Sequence, residues 1–169
     1  MRSLIPETVE SSAVALTGAS GQTATFGHLR ERAHSLSLRT PGLVLLKTEN
    51  SIDAISVYVA CFLAGVPIAL IDKSVADEVV AALVATYRPA AVVGHGPQLA
   101  GYASSIEEHG VSWQHRSTPA APTHPDLAVM LATSGSTGSP KFVKLSRSAV
   151  VSNAESIAEG LGIRDAHRA

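Results

Sequence analysis

With 169 residues, 46% of them hydrophobic and 16% charged, the chain has the apolar content for one buried core and is too apolar to stay disordered. A net charge of −1 and an aromatic content of 4% supply neither the basic surface nor the stacking platforms that nucleic-acid binding needs. Cys61 is the single cysteine, which excludes an internal disulfide framework and fits a reducing, cytoplasmic setting.

Met1 to Glu7 lacks the apolar core of a secretory leader. Ala13–Leu16 and Thr23–Phe26 are short strand candidates, and Thr17-Gly-Ala-Ser-Gly21 between them reads as a hairpin turn. Leu29, Ala33 and Leu36 recur at helical spacing, predicting an amphipathic helix over Gly27–Leu38 that ends before Pro41.

Leu43-Val-Leu-Leu46 is apolar without alternation, as for a parallel strand covered on both faces. Asn50 or Ser51 can cap the next helix, in which Ile52, Ile55, Val59, Phe62 and Leu63 are apolar, Asp53 faces the positive dipole end and Gly65 is the stop. Cys61 sits there as a buried structural thiol. Pro67–Ile71 reads as a further strand, so Ile52–Ile71 divides into a helix and a strand of soluble size rather than a membrane span. Strand, helix and strand in this order predict a βαβ unit with a parallel sheet.

Ser74 can cap a helix running to about Tyr87, stopped by Pro89. Ala90–Val93 resumes the sheet, Gln98–His109 reads as another helix, and Val111–Trp113 as a short edge strand. On that helix Glu107 and Glu108 are neighbours that point apart, which argues against an acid/base pair. The seven histidines show no ligand spacing, so no metal site is assigned. Residues 117–125, rich in proline and small side chains, form an extended connector.

The connector delivers the chain to its most distinctive stretch. Leu127–Leu131 and Phe142–Leu145 are strand-like and flank Thr133-Ser-Gly-Ser-Thr-Gly-Ser-Pro-Lys141, which concentrates hydroxyls, small residues and one lysine. Gly135 and Gly138 let backbone N–H groups approach an anion, Ser134, Ser136, Thr137 and Ser139 add hydroxyl donors, and Lys141 brings one mobile charge suited to a phosphate oxygen. The spacing differs from G-x-x-x-x-G-K-[ST], because Phe142 follows the lysine and a strand follows the loop. Neither G-x-G-x-x-G nor G-x-S-x-G is present. After the second strand, Ser146 or Ser148 can cap a last helix with Gly162 near its end.

The nine residues from Thr133 to Lys141 closely resemble the signature loop of the adenylate-forming (AMP-binding) superfamily, which includes acyl-CoA synthetases and the adenylation domains of nonribosomal peptide synthetases. Val143–Ser146 resembles that family's following strand, and Asn153 falls where its next helix often carries Asn. Phe142 stands where many members have Gly, and Arg147 where many have a His that lies near the acyl pocket. The order of units upstream is similar too, so the resemblance covers nearly the whole chain.

The resemblance implies an α/β fold: a partial adenylate-forming N-domain, built as a three-layer parallel-sheet subdomain from βαβ units, with an N-terminal β-hairpin and a C-terminal strand-loop-strand-helix. Residues 1–169 would be the N-terminal portion of an AMP-binding domain, with the phosphate loop at 133–141. The implied enzyme is an acid-thiol ligase in which a carboxylic or amino acid attacks the α-phosphate of ATP, with Mg2+, before transfer to coenzyme A or a carrier-protein thiol. Thr133, Ser134, Gly135, Ser136, Thr137, Gly138, Ser139 and Lys141 would hold the nucleotide, and Lys141 would be the catalytic counter-charge to the departing pyrophosphate. The family's remaining ATP-site motifs lie downstream of this loop, so the chain alone is expected to be inactive and to partner a missing C-terminal part or itself. The alternative is a stand-alone nucleotide-binding or subunit-complementing module without catalysis.

Overall fold

The computed structural model describes residues 9–39, 41–108, 110–133 and 141–163. It opens with an antiparallel hairpin, β1 (Val14–Thr17) and β2 (Thr23–Thr25), followed by α1 (Phe26–Arg39). β3 (Val44–Thr48), α2 (Ile52–Ala64), β4 (Ile68–Asp72), α3 (Asp77–Tyr87) and β5 (Ala91–Val93) then alternate. β6 (Ile106–Glu108), β7 (Val111–His115), β8 (Leu127–Thr133), β9 (Lys141–Ser146) and α4 (Arg147–Gly160) complete the described chain.

Seven strands form one sheet in the order β6-β7-β5-β3-β4-β8-β9. β5, β3, β4 and β8 run parallel, while β7, β6 and β9 are antiparallel to their neighbours, so a parallel centre is flanked by antiparallel edges. Alternate residues of each central strand enter different layers. Val44, Leu46, Ile68 and Val93 face the core with Val57, Ala60, Cys61 and Phe62 of α2. Leu43, Leu45, Ala69, Ile71 and Val92 face the opposite core with Val80, Leu83 and Val84 of α3. Helices thus cover both faces, and this is why these strands are continuously apolar.

Local signals account for most boundaries. Ser51 caps α2, its hydroxyl accepting from Ala54 N–H at 3.2 Å, and Gly65 ends that helix in the left-handed conformation. Ser146 caps α4 by accepting from Ala149 N–H at 3.1 Å. Ser74 does not cap α3. Its N–H and hydroxyl are committed to Asp72 Oδ1 in the turn after β4, and the helix begins three residues later from Ala76 without a side-chain cap.

The expected helix over Gln98–His109 is absent from its described part. Residues 98–105 are irregular, with a turn at Ala100–Gly101, and residues 106–108 are the edge strand β6. The segment is held by its own polar contacts: Gln114 Oε1 accepts from Leu99 N–H at 2.9 Å, Gln114 Nε2 donates to Pro97 O, and Tyr102 Oη donates to Pro89 O at 2.7 Å. β7 therefore lies inside the sheet, with Trp113 buried, rather than at its edge. Glu107 and Glu108 still point apart, now because successive strand residues face opposite sides.

Candidate functional site

The carboxyl ends of β3, β4 and β8 lie side by side, since Thr48 pairs with Asp72 and Leu70 with Leu131. In open α/β sheets, this end is where ligands bind. An open cleft of about 560 Å3 occupies it, with Thr48, Asn50, Asp72, Lys73, Leu131 and Thr133 in its wall.

Thr133 and Lys141 are directly opposite each other in the β8–β9 hairpin, and Thr133 Oγ1 donates to Lys141 O at 3.0 Å. Both ends of the glycine- and serine-rich segment are therefore fixed at the carboxyl end of the sheet. Of the predicted phosphate-binding residues, Thr133 and Lys141 are described and exposed; Ser134, Gly135, Ser136, Thr137, Gly138 and Ser139 lie outside the described residues. Thr133 lines the cleft, and Lys141 opens β9.

Charge at the cleft is already organised. Hydrogen bonds from the Ser74 hydroxyl, then from its N–H, hold the Asp72 carboxyl below the usual range. Lys73 pairs with Glu49, whose hydrogen bond and charge raise the Lys73 ammonium above its ordinary value. Neither Asn50 nor Lys73 was singled out as a ligand from the sequence. The available signal was position, immediately beyond strands read as parallel.

The two departures from the resembled loop have structural partners. Phe142 meets Tyr87 of α3 edge-to-face, ring centroids 5.4 Å apart, and packs against the α3-side core. Arg147, the first residue of α4, places its guanidinium carbon 4.2 Å from the centre of the Phe62 ring and donates to Phe62 O at the end of α2. Burial holds its guanidinium below the ordinary value.

A model of the family described as AMP-binding enzyme matches residues 7–168. The chain belongs to the AMP-binding enzyme family. No curated protein matches the sequence. Among solved structures, a fatty acyl-adenylate ligase from L. pneumophila in complex with acyl adenylate and pyrophosphate is 21% identical over 90% of this chain and 30% of that one, with a TM-score of 0.64. O-succinylbenzoate coenzyme A synthetase from Bacillus subtilis, in complex with AMP, is 21% identical over 90% and 43%, with a TM-score of 0.63. ATP-bound MatB from Rhodopseudomonas palustris is 18% identical over 86% and 34%, with a TM-score of 0.59. At these identities the likeness to the AMP-binding structures establishes the fold. The chain spans between 30% and 43% of the length of these three structures, and so corresponds to part of an adenylate-forming domain. Among the described residues, no helix is long and apolar enough to cross a membrane.

Proposed function

We propose that this chain is the N-terminal part of an ATP-dependent ligase that activates a carboxylic or amino acid as its adenylate and passes the acyl group to coenzyme A or a carrier-protein thiol. The observation that carries the reading is the Thr133–Lys141 closure: a segment rich in anion-binding residue types is anchored by a hydrogen-bonded strand pair at the ligand-binding end of a parallel sheet. In this reading residues 134–139 donate N–H and hydroxyl hydrogen bonds to the triphosphate of ATP, and Thr133, whose hydroxyl donates to Lys141 O, orients the entrance to the segment. Lys141 opposes the charge that grows on the departing pyrophosphate, where a fixed donor set lowers the barrier most. Mg2+ would enter with the nucleotide; no group of three His, Cys, Asp or Glu side chains converges to hold a metal among the described residues, so no step is assigned to it here.

The exposed surface supports a covered, partial domain. Leu131, Val143, Ile157, Leu161 and Ile163 are all exposed and fall on β8, β9, α4 and the turn after it, and α4 has no buried residue. Such an apolar edge suits packing against the rest of an adenylate-forming polypeptide, or against a separate subunit that carries it.

Carboxylate-dependent exchange of labelled pyrophosphate into ATP tests the reading. The chain alone is expected to be silent, while a polypeptide extended to the length of its relatives exchanges and loses exchange with Lys141→Ala. Robust turnover by residues 1–169 alone would refute the partial-domain reading, and an extended polypeptide that adenylates no acid would refute the activity.

A further inference from the structure

We propose that Lys73 is a second phosphate-binding cation at this site, paired with Glu49 until a polyphosphate enters the cleft. The inference rests on the adenylating reading above and adds to it a residue outside the 133–141 segment.

Placement comes first. β4 ends at Asp72, and Lys73 N–H donates to Thr48 O at 3.0 Å, so the backbone at residue 73 is tied to the end of β3. Its side chain lines the same cleft as Thr133. Among the described residues of that lining, Lys73 is the one cation; the polar remainder consists of hydroxyls at Thr48 and Thr133, an amide at Asn50, and the carboxylates of Glu49 and Asp72. Lys141 is not part of this wall: it opens β9, whereas Lys73 directly follows β4.

Availability comes second. Asp72 is committed to the Ser74 hydroxyl and N–H, which leaves Glu49 as the carboxylate that Lys73 pairs with. Both partners are open to water, at 66% and 56% exposure. An ion pair so exposed is screened and loosely held. A lysine on a flexible stem is a mobile point charge with three donors, and a polyphosphate offers it more negative charge than one carboxylate does. When the anion arrives, Lys73 turns from Glu49 to a phosphate oxygen, and Glu49 acts as its competitor.

The test is a titration of the 169-residue chain with inorganic pyrophosphate, followed by amide and lysine-ammonium NMR shifts at about 0.15 M salt, where charges beyond roughly 8 Å are screened. The Lys73 ammonium and Glu49 amide are expected to shift together with Thr133. Lys73→Ala weakens binding about five-fold and Glu49→Gln tightens it about two-fold. Lys144→Ala, on the exposed strand β9 and outside the cleft, leaves it unchanged. If Lys73→Ala binds as the unaltered chain does while Lys141→Ala does not bind, the Lys73 assignment is overturned and the adenylating reading stands. If the unaltered chain shows no pyrophosphate-dependent shift at all, the Lys73 assignment is overturned, while the adenylating reading is decided by pyrophosphate exchange on the extended polypeptide.

Discussion

Arg147 and Phe62, 85 residues apart in sequence, join the start of α4 to the end of α2. The guanidinium lies over the Phe62 ring and donates to the Phe62 carbonyl in the last turn of α2, an oxygen that also accepts from the Gly65 N–H at 3.3 Å. A cation here also opposes the negative end of the α2 dipole. Arg147 thereby fixes the strand–helix unit that follows Lys141 to the sheet's α2 layer. Arg147→Ala is expected to destabilise the chain by about 1–2 kcal/mol. Arg147→Lys should recover only part of that loss, because an ammonium lacks the planar face that stacks on the ring. Urea denaturation of the three proteins measures both, and equal midpoints would remove the role.

Gly94 ends β5 with φ of +109°, and a Cβ there would lie 2.3 Å from the carbonyl oxygen of Lys47. That oxygen is backbone of β3 and cannot rotate away. Gly94→Ala must therefore part β5 from β3 as well as strain its own backbone, at a cost of about 3 kcal/mol. A midpoint shift below a third of that in chemical denaturation would show that the sheet yields more easily than this contact implies.

Cys61 is fully buried on α2, and burial pushes its thiol up to about 12 from an ordinary 9.0. The sign follows from which state ionises first. Well below pH 9 the thiol is neutral in both states and contributes no pH dependence. Between about pH 9 and 12 the unfolded chain loses the proton and the folded one keeps it, so stability falls as pH rises, by up to about 1.4 kcal/mol per pH unit. Burial raises Tyr58 and Tyr102 as well, so they act in the same direction at higher pH. Denaturation at pH 8, 9 and 10 on the unaltered chain and on Cys61→Ala should show a decline that the alanine variant lacks; parallel pH curves would contradict the assignment.

The Phe142–Tyr87 contact pins β9, an edge strand of the sheet, to α3. Phe142→Gly, which restores the residue common in the resembled loop, removes an aromatic pair and adds backbone freedom within a strand. A loss of about 2 kcal/mol is expected, with faster hydrogen exchange confined to the β8–β9 ladder. Exchange rising equally across the whole sheet would mean that Phe142 supports the core rather than this edge.

Leu161→Ser and Ile163→Ser supply the contrast. These side chains are 72% and 51% exposed, and each change should stay within about 0.5 kcal/mol of the unaltered chain. Thermal melts of the two variants check it. A marked loss would show that this apolar turn is covered by the chain itself.

Local signals in the sequence determined much of this protein. The unbroken apolar run at Leu43–Leu46 specified a strand covered on both faces and Pro67–Ile71 a further strand, Asn50 or Ser51 and Gly65 bounded α2, and Gly135, Gly138 and Lys141 between two strand-like segments marked the stretch proposed to hold a phosphate. Each of these is a local property, set by side-chain period, capping chemistry or backbone freedom. Tertiary structure decided the rest, because the deciding partner is distant in sequence. Residues 106–108 became a strand through pairing with β7, against the helix read from their own composition. Ser74 is the exception, since Asp72 lies only two residues away and this local turn takes its N–H and hydroxyl from the α3 cap. Lys73 and Thr133, 60 positions apart, share a cleft only because β4 and β8 are neighbours in the sheet, and no one-dimensional pattern encodes that neighbour relation.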